Sequence, residues 1–218
     1  MRQINLFIIL IIACMTESHA HSLQFADIDS ALCKIWESDQ DLRNDLIEEM
    51  QKQPQDVMAI LSLKLKMDAI DAENQKYVSN LLDRNGWNDE FSSKAHDAIF
   101  LVIDHADKEF SEKYFPQVKE KAAKGVISPS KAATLEDRIL MKSNKKQKYG
   151  TQTIQKKDSE GNDMVYIWPV EDAENVDELR TSVNLPLMSE YIQLLKNTLN
   201  REIIWDKTGK IDGFYHYP

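Results

Sequence analysis

From Asp27 to about Asn85, apolar residues recur at helical spacing with one interruption, at Pro54, and this predicts about three helices. The stretch "SDQDLRNDLIEEMQKQ" opens with Ser38 as a cap and sets Leu42, Leu46, Ile47 and Met50 on one stripe. Beyond Pro54 the pattern runs through Val57, Leu61, Leu65 and Ile70 to Tyr77, Leu81 and Leu82, and Gly86 ends it. The next helix differs in kind. Six apolar residues in succession, Ala98 to Ile103, make it hydrophobic all round, so it is expected to be buried, with Ser92 or Ser93 as its cap. A polar amphipathic stretch from Glu109 to Lys124 follows, closed by Gly125. Ser128 and Pro129 then open another helix in the usual cap and first-turn positions.

From Tyr149 to Trp168 the period changes to two, which predicts a β-hairpin whose strands flank a polar loop and which Pro169 terminates. Val165 and Ile167 share a face, and Ile154 is the aliphatic expected opposite them, together with Gln152 and Gly150. Helical spacing returns afterwards, broken around Asn184 to Pro186, and the chain ends in an aromatic, irregular tail. The fold expected is mainly α: a single helical domain, residues 21–218, with one β-hairpin near the C-terminal third.

The first twenty residues stand apart. Arg2, the apolar run Leu6 to Ala13, and Ser18 and Ala20 at the positions a signal peptidase reads predict a signal peptide over residues 1–20. A second reading takes Ile11 to Cys14 as a lipobox, with a leader over residues 1–13 and Cys14 lipidated. Either way export is expected, to the periplasm or the medium, or to a membrane through Cys14 alone. The apolar run is too short to span a bilayer, so no transmembrane span is expected. Neither route leaves a cysteine to pair with Cys33, and no intramolecular disulfide is expected.

Charge narrows the partners. The chain carries 27 basic and 36 acidic residues, a formal charge of -9, and a leader up to Ala20 removes only Arg2 and Glu17. A negative surface repels phosphate backbones, so nucleic acid is not an expected partner. The lysines at 142, 145, 146 and 148 read as a solvated loop. No Walker loop, paired CxxC, HExxH, GxSxG or dinucleotide GxGxxG occurs. His96 and His105 lie nine apart on one helix, about 180° around it, so they cannot share a metal. No metal or cofactor is expected.

His105 is the better candidate for chemistry. It lies at the end of the apolar helix, where the helix C-terminus favours its charged form and burial opposes it. A core histidine satisfied by neighbouring groups is the competing reading. Gln152, if its face packs on the helices, turns inward and needs partners for its amide, for which Arg138 and His105 are the expected suppliers. Asp137 and Arg138 are adjacent on their helix and point apart, so no local ion pair is expected between them.

The order of "NGW" (Asn85 to Trp87), "HAD" (His105 to Asp107), "LEDR" (Leu135 to Arg138), "QKYGTQ" (Gln147 to Gln152), "PVED" (Pro169 to Asp172) and Arg180 followed by "LPLMSEY" resembles the bacterial domain-of-unknown-function family 6624, over roughly residues 70–192. Asn88 replaces the family's proline after GW, and Asp104 stands where glutamine is usual. The resemblance implies that Asp71, Asn74, Trp87, His105, Asp107, Arg138, Gln147, Tyr149, Gln152 and Arg180 occupy signature positions, and it implies no reaction. The site expected gathers His105, Tyr149 and Asp107 as catalytic groups with Arg138, Gln152, Gln147, Arg180 and Trp87 as ligand contacts. A hydrolase or lyase acting on a small anionic or peptide-like substrate is the first reading. Its alternatives are a non-catalytic ligand- or peptide-binding module of the envelope and a purely structural polar network.

Overall fold

A computed structural model describes residues 2–52, 54–157 and 160–217, with side chains described from residue 25 onward. The expected cleavage after Ala20 and the alternative lipidation of Cys14 lie outside the residues so described. The chain is mainly helical with a small sheet, and it divides into two compact units, residues 1–101 and 102–218. Among the described residues no helix is long and apolar enough to cross a membrane.

The first unit pairs α1 (Arg2–Gln51) with α2 (Val57–Asn85). Two helices stand where about three were expected over residues 27–85. Ser38 lies inside α1, and its hydroxyl donates back to the Ile35 carbonyl at 3.1 Å, so it does not cap. Between residues 27 and 51 there is no glycine or proline to break the helix. Asp56 caps α2 by accepting from the Met58 and Ala59 amides, and Gly86 closes it at φ +72°. Burial is confined to part of each predicted stripe. Leu42, Val78, Leu81 and Leu82 are buried, while Ile47, Met50, Val57, Leu61 and Leu65 are exposed.

The apolar helix α3 (Ser93–His105) is buried at Ala98, Ile99, Phe100, Val102 and Ile103, as its composition demands, and the Ser92 hydroxyl caps it. The second unit continues with α4 (Lys108–Ala123) and α5 (Pro129–Lys142), capped by Asp107 and Ser128 respectively. Strands β1 (Thr153–Lys157) and β2 (Asp163–Ile167) form the expected antiparallel hairpin, followed by α6 (Val176–Ser182), α7 (Met188–Leu199) and β3 (Ile203–Ile204). The break between α6 and α7 comes where Asn184 takes φ +60° ahead of Pro186.

Two details of the sheet depart from expectation. Cα partners run Thr153 to Ile167, Ile154 to Tyr166 and Gln155 to Val165, so Ile154 shares the face of Tyr166 and not that of Val165 and Ile167. The hairpin loop sets this register, and a shift of one residue reverses every side chain. Val165 and Ile167 instead pack with Val170, Val176, Met188 and Ile203, while Ile154 joins Met141, Trp168 and Tyr215 on the other side. The tail, read as irregular, contributes β3, which pairs parallel with β2.

Candidate functional site: a loop clamped by buried side chains beside a half-exposed ion pair

Helix α5 positions two polar clusters. Its residues 137 and 138 are about 100° apart around the axis, so their side chains leave on different flanks. Asp137 is fully buried. Its Oδ1 accepts the Lys148 amide at 2.7 Å and the Tyr149 amide at 3.1 Å, and its Oδ2 accepts the Thr151 amide at 3.0 Å and the Thr151 hydroxyl at 2.9 Å. Burial pushes this carboxyl above its ordinary range, against the pull of the Thr151, Tyr149 and Lys148 amides.

The rest of the loop is held by other buried side chains. Gln147 turns its amide along the loop, with Oε1 accepting from the Gln152 amide at 2.8 Å and Nε2 donating to the Trp168 and Gln152 carbonyls at 2.6 and 3.1 Å. Arg180 has no exposed surface, and it donates from Nη1 to the Tyr149 carbonyl and from Nε to the Pro186 carbonyl, both at 2.6 Å. Its guanidinium lies 4.8 Å from the centroid of the Tyr191 ring, whose hydroxyl donates to the Thr151 carbonyl at 2.7 Å. Among the described residues Arg180 Nη2 has no hydrogen-bond partner. Burial holds Arg180 below its ordinary value and Tyr191 above its own. Gly150 takes φ +70°, and a Cβ there would meet Met188 Cε at 2.9 Å, so Met188 packs closer to this backbone than a side chain at residue 150 would permit.

The second cluster lies at the turn between α3 and α4. Arg138 Nε donates to Asp104 Oδ1 at 2.9 Å, with Asp104 nearly buried and the Arg138 side chain 30% exposed. His105 Nε2 stands 4.0 Å from Asp104 Oδ2, with 19% of its side chain exposed. Lys142 Nζ donates to the Ala106 carbonyl at 2.6 Å. Burial lowers the Lys142 ammonium first and Arg138 lowers it further, while Asp104 and Asp107 pull it upward.

The expected site residues therefore divide. Gln147, Tyr149, Gln152 and Arg180 come together around one loop, and His105, Asp107 and Arg138 around one turn. The Asp107 carboxylate accepts the Phe110 amide at 2.8 Å as the cap of α4. Gln152 Nε2 donates to the Thr134 carbonyl and the Thr151 hydroxyl, at 3.3 and 3.2 Å, in place of the expected Arg138 and His105. Residue 152 precedes β1, so strand alternation does not govern its direction. Tyr149 is half-buried, and its phenol is raised by burial and then by Glu136, which itself pairs with Lys148 at 2.6 Å. Trp87 belongs to the first unit, where its Nε1 donates to His96 Nδ1 at 2.8 Å.

Asp137, Tyr191 and Asp104 complete the clusters without having been counted among the site residues. Asp137 carried a signal, since it stands four residues from Ala133 and three from Leu140, on the edge of the apolar face. Among the described residues no three His, Cys, Asp or Glu side chains are grouped to hold a metal ion.

Comparison with known proteins gives one match. The model of a family of unknown function (DUF6624) covers residues 26–203. No curated protein and no solved structure matches the chain.

Proposed function

We propose, for a chain that belongs to the family of unknown function DUF6624, that it binds a small anionic or peptide-like ligand through Arg138 and His105. The observation that carries this reading is the way Arg138 is held. Its Nε is fixed on a nearly buried carboxylate while 30% of its side chain stays exposed. A planar fork fixed at one nitrogen is pre-organised for a carboxylate at the others. His105 and Lys142 add donors beside it.

The binding reading stands ahead of catalysis because Asp107, one of the three groups expected to move protons, is occupied as the cap of α4, while Arg138 stays in reach of solvent. A hydrolase or lyase is the second reading. It is favoured by a partly exposed imidazole, His105, whose Nε2 stands 4.0 Å from the Asp104 carboxylate.

The test is titration of the full chain with a panel of small mono- and dicarboxylates and N-acetyl dipeptides, followed by thermal shift. A stabilising carboxylate whose affinity falls about tenfold or more in Arg138→Gln is expected. Equal binding by Arg138→Gln, or no stabilisation across the panel, counts against the proposal. Loss of turnover with retained binding in His105→Ala selects the catalytic reading.

Export to the cell envelope belongs to the same proposal, supported by the apolar run and the Ser18 and Ala20 pattern of the first twenty residues. Mass spectrometry of the mature N-terminus separates cleavage after Ala20 from a lipidated Cys14, and an intact Met1 on secreted or cytosolic protein speaks against both.

A further inference from the structure

Helix α2 is apolar on two sides. Met67 and Asp71 meet Arg43 of α1, at 3.4 Å for the Met67 sulfur and 3.3 Å for the Asp71 carboxylate. The half-buried Ile60, Leu63 and Ile70 recur with Met67 at helical spacing, so this side packs on α1. Met58, Leu61 and Leu65 lie about 120–180° around the helix from Met67. Together with Val57, and with Ile47 and Met50 of α1, they are 48% to 72% exposed. A helix that had only α1 to cover would carry polar residues there.

The size of this strip matches an interface. Six large apolar side chains, gathered where α1 gives way to α2, expose roughly 500 Å² of apolar surface, at the upper end of what a monomer shows. A standard interface takes about 800 Å² from each partner and is about 60% apolar, which is the same apolar area.

The charges beside the strip are sorted by helix. Asp45 and Glu48 bracket Leu46 and Ile47 on α1, and Lys64 and Lys66 bracket Leu65 on α2, all four exposed. Glu49 pairs with Lys52 nearby, but among the described residues none of these four is held in an ion pair.

We infer that this face is an interface between two copies of the chain, with α1 of one copy lying along α2 of the other around Leu61 and Leu65. A two-fold axis makes every contact reciprocal, so the patch must complement itself. An acidic edge and a basic edge beside one apolar strip do so, because the carboxylates at 45 and 48 of each copy then face the lysines at 64 and 66 of the other. The contact is made twice, and it brings together charges that have no partner within one chain. A lipid surface would favour a basic rim on both helices and would repel the acidic one.

Sedimentation velocity of the full chain over a range of concentrations tests the inference, against a single-chain mass of 25.2 kDa. A reversible dimer at roughly micromolar concentration is expected. Leu61→Glu and Leu65→Glu change exposed positions away from the α1 contact, and each is expected to weaken the dimer about tenfold or more. Reversing both lysines, Lys64→Glu with Lys66→Glu, should also weaken it, and adding Asp45→Lys with Glu48→Lys should restore it. Far-UV circular dichroism checks that each variant keeps its helices. A chain that stays monomeric up to about 100 µM overturns the inference. So does a dimer indifferent to both leucine substitutions, or a charge reversal that fails to restore. Flotation of a monomeric chain with phosphatidylglycerol vesicles overturns it in favour of a strip that lies on lipid.

Discussion

Asp137 and Arg138 are consecutive on α5 and serve opposite flanks of it, the first closing on the amides of residues 148, 149 and 151 and the second on the Asp104 carboxylate. Neither pairs with the other. One turn of helix thus ties a loop and an inter-helix corner to the same backbone.

Removing the first of these anchors is expected to be severe. Asp137→Ala leaves the Lys148, Tyr149 and Thr151 donors without an acceptor in the interior, and a loss of about 3–5 kcal/mol in unfolding free energy is expected from urea denaturation. A loss under about 1 kcal/mol would mean that water replaces the carboxylate and that the loop is not anchored there.

The same carboxyl gives stability a pH dependence of defined sign. Burial raises it above its ordinary value of 3.8, so the folded chain keeps this proton to higher pH than the unfolded chain. Where the folded state binds more protons, stability falls as pH rises. The contribution of Asp137 is therefore most favourable below 3.8 and declines as pH climbs from there through the raised folded value. Asp137→Asn cannot titrate. Plotted against pH, the unfolding free energy of the native chain minus that of the variant should decrease across this window, and an increase would refute the assignment.

Arg180 is expected to resist conservative replacement. A lysine carries one nitrogen, so in Arg180→Lys it cannot reach both the Tyr149 and Pro186 carbonyls that Nη1 and Nε now serve. A destabilisation of about 2–3 kcal/mol by thermal or urea unfolding is expected, close to that of Arg180→Met. If lysine restored most of the stability lost in the methionine variant, charge and not the two-pronged geometry would be the operative property.

Gly150 and Met188 are expected to be energetically coupled. Gly150→Ala meets both a positive φ and the Met188 side chain, for about 1–3 kcal/mol. In Met188→Ala the collision disappears while the backbone strain stays. A double-mutant cycle should then give a coupling of roughly 0.5 kcal/mol or more, and strict additivity would show that the backbone angle alone sets the loss.

Much of this architecture is written locally in the chain. Ser128 and Pro129, Gly86, and the six apolar residues from Ala98 each fix an element from within a few positions, because caps, left-handed turns and all-round burial depend on neighbours in sequence. The register of the hairpin does not. Ile154 opposes Tyr166 because of how the intervening loop is built, and β3 exists because residues 203 and 204 find an open edge of β2 after two further helices. For the site, the motifs gathered Gln147, Tyr149, Gln152 and Arg180 into one pocket with His105, Asp107 and Arg138, as catalytic groups and ligand contacts. That Gln147 and Arg180 bond backbone, with the Gln152 amide on a carbonyl and a hydroxyl, depends on long-range closure, and spacing carries no such information. Asp137 went uncounted because an acidic residue on an amphipathic helix ordinarily faces water.

The clamped loop also bears on how the molecule breathes. The amides of Lys148, Tyr149, Thr151 and Gln152 belong to no helix and no strand, yet each donates to a buried side-chain oxygen. Their protons should exchange with deuterated solvent at the slow rates of core helices and not at those of surface loops. An exchange map would then show protected amides at residues 148, 149, 151 and 152 that open only with the whole of their unit, the first three of which lose their protection together in Asp137→Ala.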